Sequence, residues 1–326
     1  MDMTRRNRKR TGECRSLSWR LGKRTVRAAD RLTNLAVVLV ILGMVLYVFY
    51  SLWDTSHIYS AASTEVYETY RPSEDDTESF AELQAINPDV FGWLTVYGTG
   101  IDYPVTQGEN NSTYVNTDAR GDYALSGSLF LDSESALDFS DFNSIIYGHH
   151  MEEGTMFGDL DLFREESFFQ SHKYGSLFFD GQDHGLEIFA ALEVSAYDER
   201  IYRTGDIPAA ERETYLAYLK ENALFYREAG ITAEDHIVIL STCASDSTSG
   251  RLVLAARISS ETFENPFAED QETDTGSGAE GKSRLSLLIL AGVLFLLAVM
   301  AVLAVRWKKQ NKKSGGENSN ERKKKK

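Results

Sequence analysis

The chain has 326 residues, room for one large domain or two small ones, and a formal net charge of −15. That charge is segregated: about 11 Lys/Arg stand against 3 acids in the first 33 residues, about 10 against 2 from Arg306 onward, and about 13 against 44 between them. An acidic body of this kind has nothing with which to neutralise phosphates, which excludes nucleic acid as its partner.

Taken in order, residues 1–34 form a basic tail, and residues 35–53 carry no charge at all. Such a run is about the 20 residues a helix needs to cross a hydrocarbon core. Its outer end, Tyr47 to Trp53, is bulky and aromatic, unlike a signal-peptidase exit, so it reads as an uncleaved anchor with its aromatics at the membrane interface. A second uncharged run covers 285–305, followed by Trp307 and a basic tail over 306–326. By the positive-inside rule both tails stay in the cytoplasm, which predicts a two-pass protein of the cell membrane with everything between the anchors outside. Residues 54–78, polar and acidic, read as a stalk, and residues 264–284, rich in Gly, Ser, Thr and acids, as a linker. Residues 79–263 then make one compact extracellular domain.

Within that domain Phe80, Leu83 and Ile86 share a helical face, and Asn87-Pro88 breaks or restarts the helix. Strands are predicted over 92–96, 101–106, 127–131, 143–147, 174–180, 186–197, 236–241 and 251–258. Short helices are predicted at 110–114 and 156–163. The spacing of Tyr215, Leu216, Leu219 and Leu224 predicts one long helix over 207–229, with Pro208 near its start and Gly230 past its end. Many short strands with few helices between them predict a mainly β fold, an eight-stranded closed or nearly closed barrel, flanked by two transmembrane helices.

The chemistry converges on strand ends. The apolar run 237–240 delivers Cys243, the only cysteine outside the cytoplasmic tail, where Cys14 sits. Unpaired in an exported domain, Cys243 is either a small buried core residue or a thiol kept for its reactivity. A nucleophilic thiol needs a base. His149 and His150 follow directly on Asn143-Ser144-Ile145-Ile146-Tyr147-Gly148, read as another buried strand ending in a reactive side chain, and on an extended segment only one of them can face the thiol. Arg251 opens the next apolar run, where it serves a developing oxyanion, an ion pair, or a stem laid along the barrel wall. Adjacent histidines with one cysteine lack metal-ligand spacing, Asp132, Glu134, Asp138 and Asp141 read as a solvated acidic face with weak calcium binding as the alternative, and no Gly-rich phosphate loop is present. Neither metal nor cofactor is expected.

Leu240-Ser241-Thr242-Cys243 with Arg251 resembles the signature of sortases, the cysteine transpeptidases of the Gram-positive cell surface. Tyr147-Gly148-His149-His150-Met151, Gly154-Thr155-Met156-Phe157 and Leu160 look like the histidine region of their class B branch. Gly92-Trp93-Leu94, Ile101 to Val105 and Gly127 to Asp132 extend the likeness over about residues 80–258. The resemblance implies a sortase-type barrel in which Cys243 is the nucleophile, His149 rather than His150 the catalytic imidazole, and Arg251 the oxyanion or substrate-positioning group. Ser241 and Thr242 would lie against the substrate. It further implies that secreted proteins bearing a C-terminal sorting signal are cut after a threonine, held as a thioester, and transferred to an amine of a cell-wall peptide or a pilin lysine. One feature departs from class B, and the likeness it suggests is itself incomplete. The second anchor is more like the class C pilin polymerases, yet their aspartate-proline-aromatic lid is missing, because Asn87-Pro88-Asp89 has a different order. A membrane-anchored cysteine peptidase that releases proteins by hydrolysis, and a non-catalytic surface or pilus scaffold, are the competing readings.

Overall fold

An apolar run that does not alternate with polar residues needs cover on both faces. The computed structural model supplies that cover for the strands that end near Cys243 and His149. It describes residues 3–73, 78–151, 154–243 and 250–268, together with Gly292. The chain divides into two compact units, Met1–Phe263 and Glu264–Lys326. Apart from Gly292, the expected second anchor at 285–305 lies outside the described residues, as do most of the linker and the whole basic tail after it.

The first unit runs α1 (Met3–Ala62), α2 (Glu78–Ile86), β1 (Val90–Val96), β2 (Asp102–Thr106), β3 (Leu129–Leu131), β4 (Asn143–His149), α3 (Glu166–Ser171), β5 (Tyr174–Phe179), β6 (Gln182–Ser195), α4 (Ala209–Asn222), β7 (Ala223–Tyr226), β8 (His236–Cys243) and β9 (Gly250–Ser259). The strands are ordered β5-β1-β2-β3-β4-β8-β9-β6, and β6 pairs back onto β5, so that eight of them close a barrel. The expected barrel is therefore present. A ninth strand, β7, joins β6 where β5 has left its edge free.

That ninth strand corrects the long helix expected over 207–229. Helix α4 stops at Asn222, and Ala223–Tyr226 turns extended, with Ala190 opposite Tyr226 and Ala191 opposite Phe225. An open edge of β6 satisfies the backbone of this aromatic stretch, and tertiary pairing overrides the helical spacing. The two predicted short helices are 3₁₀ turns, over Thr113–Val115 and Gly158–Arg164.

Strand alternation builds two cores. Ile146, Val238, Leu240, Leu252 and Leu254 fill the barrel interior with Leu94, Leu129 and Phe157. Ile145, Ile237, Ile239, Val253 and Ala255 point the other way and are roofed by Tyr215, Leu216 and Leu219 of α4 and by Phe142. Both faces of β4 and β8 are thus buried, which explains why Ile145 and Ile146 stand side by side in β4 and why the run 237–240 of β8 is unbroken.

Within α1, Ala28–Thr55 is long and apolar enough to cross a membrane, and none of its most apolar window is buried; it is the one such helix among the described residues. The helix does not end there. It continues to Ala62, and short 3₁₀ turns follow at Thr64–Val66 and Glu68–Tyr70. Ala62 and Tyr67 belong to the barrel core, so the segment expected as a free stalk is docked over part of its length. At the other end of the unit Phe263 stacks on Tyr174 at 4.2 Å, and its carbonyl accepts a hydrogen bond from the Tyr97 hydroxyl.

Candidate active site

Strands β4 and β8 are parallel neighbours, and their register runs from Asn143 opposite Ile237 to His149 opposite Cys243. Paired residues in a parallel ladder share a face. On the other side of β8 the antiparallel register places Leu240 opposite Leu254 and Ser241 opposite Val253. Carried two residues further, that register brings position 243 opposite Arg251. Counting alternate residues from Ile145, Ile239 and Val253 sets positions 149, 243 and 251 on the same face, the outer one, at one end of the barrel. Three residues scattered over a hundred positions are thereby lined up on adjacent strands. The side chain of Cys243 lies outside the described residues, as do residues 244–249 between the two strands.

The imidazole of His149 is half-buried, and its Nε2 lies 2.8 Å from the Val115 carbonyl oxygen. A carbonyl can only accept, so Nε2 carries the hydrogen and Nδ1 is the nitrogen left to exchange a proton. Val115 ends a 3₁₀ turn whose neighbour Gly127 has φ of +58°. A Cβ on Gly127 would come within 2.5 Å of the Val115 oxygen, so glycine is what lets this carbonyl keep its place beneath the histidine. Gly148, on the strand itself, is fixed by packing. A Cβ there would meet Leu129 at 2.4 Å and Phe157 at 2.8 Å, so its hydrogen is needed for packing inside the barrel.

His150 is directed elsewhere: its Nε2 lies 2.7 Å from Asp161, which also pairs with Arg164, and Arg164 in turn reaches Glu193. The remaining described imidazoles are away from the site. His172 is buried against Phe168, His184 stacks on Phe179, and His236 bonds the Asp141 carbonyl. The side chain of His57 is outside the described residues.

Arg251 is half-buried, and its Nη1 donates to the Thr242 carbonyl at 2.5 Å, tying the start of β9 to the end of β8. Its Nε is buried with no partner among the described residues. Thr242 and Ser241 are both buried, and the Ser241 hydroxyl is 3.0 Å from that of Tyr202, whose ring stacks on Tyr147. These two residues hold the strand end. Neither the Val115 carbonyl nor Tyr202 stood out in the sequence; the first is a backbone atom in an irregular segment and leaves no residue-type signal.

The acidic face is partly corrected. Asp132 is buried, not solvated, and accepts from Asn111 at 2.7 Å, from Tyr147 at 3.1 Å and from the Glu134 N–H. No group of three or more His, Cys, Asp or Glu suited to a metal occurs among the described residues.

The pattern of the sortase domain family matches residues 94–259. Two curated relatives are both sortase B. That of Staphylococcus aureus is 33% identical over 183 residues, covering 55% of this chain and 74% of the relative. That of Listeria monocytogenes is 31% identical over 210 residues, covering 63% and 82%. Among solved structures, Spy0129, a Streptococcus pyogenes class B sortase involved in pilus biogenesis, superposes with a TM-score of 0.52 at 42% identity, over 55% of this chain and 97% of that one.

Proposed function

The chain belongs to the sortase family and to its class B branch, and we propose that it is a membrane-anchored cysteine transpeptidase with Cys243 as nucleophile, His149 as acid and base, and Arg251 as the oxyanion-stabilising group. The observation that carries this reading is the register that lines up positions 149, 243 and 251 on three adjacent strands. In this reading the Cys243 thiol gives its proton to His149, and the thiolate sulfur bonds to the carbonyl carbon of a threonine in the sorting signal of a secreted protein. Negative charge collects on the carbonyl oxygen, where the Arg251 guanidinium, held by Thr242, neutralises it. The protonated His149 gives its Nδ1 proton to the departing amine, the C–N bond breaks, and a thioester remains. An incoming amine then attacks the thioester while His149 takes its proton, and the C–S bond breaks to release Cys243 as the thiolate. Ser241 and Thr242 hold the end of β8 beside the substrate.

Anchoring through the 35–53 run, and through the 285–305 run as a second helix, places the domain outside the cell with both tails in the cytoplasm. The acceptor is an amine of a cell-wall peptide or a pilin lysine. Likeness to a pilus-biogenesis sortase favours the pilin.

Incubating the full chain in detergent with a library of sorting-motif peptides, with and without an amine, and weighing the products tests the proposal. A peptide thioester on Cys243 and an amide product that appears only with added amine are expected. Release of the free acid at the same rate whether or not amine is present would make the protein a peptidase. Absence of any adduct across the library would leave a non-catalytic scaffold.

A further inference from the structure

Tyr103 on β2 is buried, yet its hydroxyl makes two backbone bonds. It donates to the carbonyl of Ala62, the last residue of α1, at 3.0 Å, and it accepts from the Met156 N–H at 3.1 Å. Met156 is paired with His150 across a bridge, and the next residue, Phe157, donates its N–H to the His149 carbonyl at 2.9 Å. Met156 itself has φ of +54°, a conformation that a side-chain-bearing residue holds only when its surroundings insist. Beside it, Tyr67, in the segment that follows α1, and Ala119, in the loop that follows Val115, are buried in the same core. Ala62, Tyr67, Tyr103, Ala119 and Met156 line one small cavity. Of the two loops that fix His149, the one that binds its carbonyl is therefore tied through Tyr103 to the segment by which the anchor helix enters the domain, and the one that binds its ring borders the same cavity.

A passive spacer would need none of these contacts. Building on the assignment of His149 above, we infer that Tyr103 is a positioning residue: it couples the docked end of α1 to the strained turn at Met156, and so holds the catalytic imidazole in register with Cys243. The anchor helix then does more than tether. Its seated end completes the frame of the active site.

The test uses the full chain in detergent, in a Cys14→Ser background, and follows alkylation of Cys243 by iodoacetamide as a function of pH, alongside thermal unfolding. His149→Ala is the reference and should displace the pH profile. Tyr103→Phe keeps the buried ring but leaves the Met156 N–H buried and unpaired. It should shift the profile in the same sense and slow alkylation at neutral pH about tenfold, equivalent to about 1.4 kcal/mol of barrier. Ala62→Glu, which forces a carboxylate into the buried helix end, should do likewise while the barrel still unfolds cooperatively. If His149→Ala moves the profile and either of the other variants leaves it unmoved, the coupling is refuted, whatever happens to the melting temperature. If His149→Ala itself changes nothing, it is the pairing of His149 with Cys243 that fails.

Discussion

His149 and Cys243 are register partners, the last residue of β4 facing the last residue of β8 across a parallel ladder. His150, one residue on, is held by Asp161 instead. The two histidines should therefore separate cleanly on mutation. His149→Ala is expected to slow single-turnover acylation by about 10²–10⁴-fold, the usual contribution of a general acid–base group. His150→Ala, which removes an ion pair at a well-exposed site, should cost at most about 1 kcal/mol of stability and leave acylation within about twofold. Quenched-flow mass spectrometry of the thioester distinguishes them, and equal losses in both variants would break the assignment.

Arg251 poses a sharper question, because the proposed function gives its guanidinium two tasks: Nη1 holds the Thr242 carbonyl, and the oxyanion is left to the remaining donors. A lysine keeps the charge but presents a point ammonium without a planar fork, so it cannot do both. Arg251→Lys should lower kcat by about 10²-fold or more, the range seen when one oxyanion donor is lost, with KM changed far less. Steady-state transfer kinetics read the split. A raised KM at unchanged kcat would mean that the residue binds ground-state substrate only.

The strands at the centre of the barrel were legible because β8 and β9 carry apolar residues on both faces, a pattern that burial from two sides requires. The candidate residues Cys243, His149 and Arg251 stood out because each lies at the end of such a buried strand. Residues 223–226 misled, because Leu224 falls on the helical repeat of α4 while the open edge of β6 decides the conformation. The docking of Ala62 and Tyr67 was hidden by composition: the segment around them is polar, and two buried side chains among acids and hydroxyls carry no periodicity. The support beneath His149 was hidden because it is a carbonyl, and only Gly127 marks it.

Gly127 accordingly makes a demanding test. Alanine there would face both the left-handed φ and a contact of 2.5 Å with the Val115 oxygen. The backbone term alone amounts to about 1–2 kcal/mol, and the clash can be relieved only by moving the carbonyl that binds His149. Gly127→Ala should lower the melting temperature and reduce acylation together, whereas Gly121→Ala, at a φ of +87° with nothing within 4 Å, should lower stability alone. Parallel measurement of unfolding and thioester formation checks this, and full activity in Gly127→Ala would remove the Val115 carbonyl from the site's support.

His172 sets a pH dependence unrelated to the chemistry. Its ring lies on Phe168 with centroids 3.5 Å apart, and burial holds its pKa below the ordinary histidine value of 6.5, partly offset by the Phe168 and Gly98 carbonyls. The folded state thus prefers the neutral ring, whereas the unfolded chain takes up a proton near the ordinary value. Between the depressed and the ordinary pKa the unfolded state binds more protons, so stability rises with pH there and is lost as pH falls from 6.5 toward the folded value. His172→Phe keeps the stacking and removes the titration. On acidification from neutral pH through this window, the wild-type melting temperature should drop more steeply than that of the variant. Parallel curves would assign the acid sensitivity to other groups.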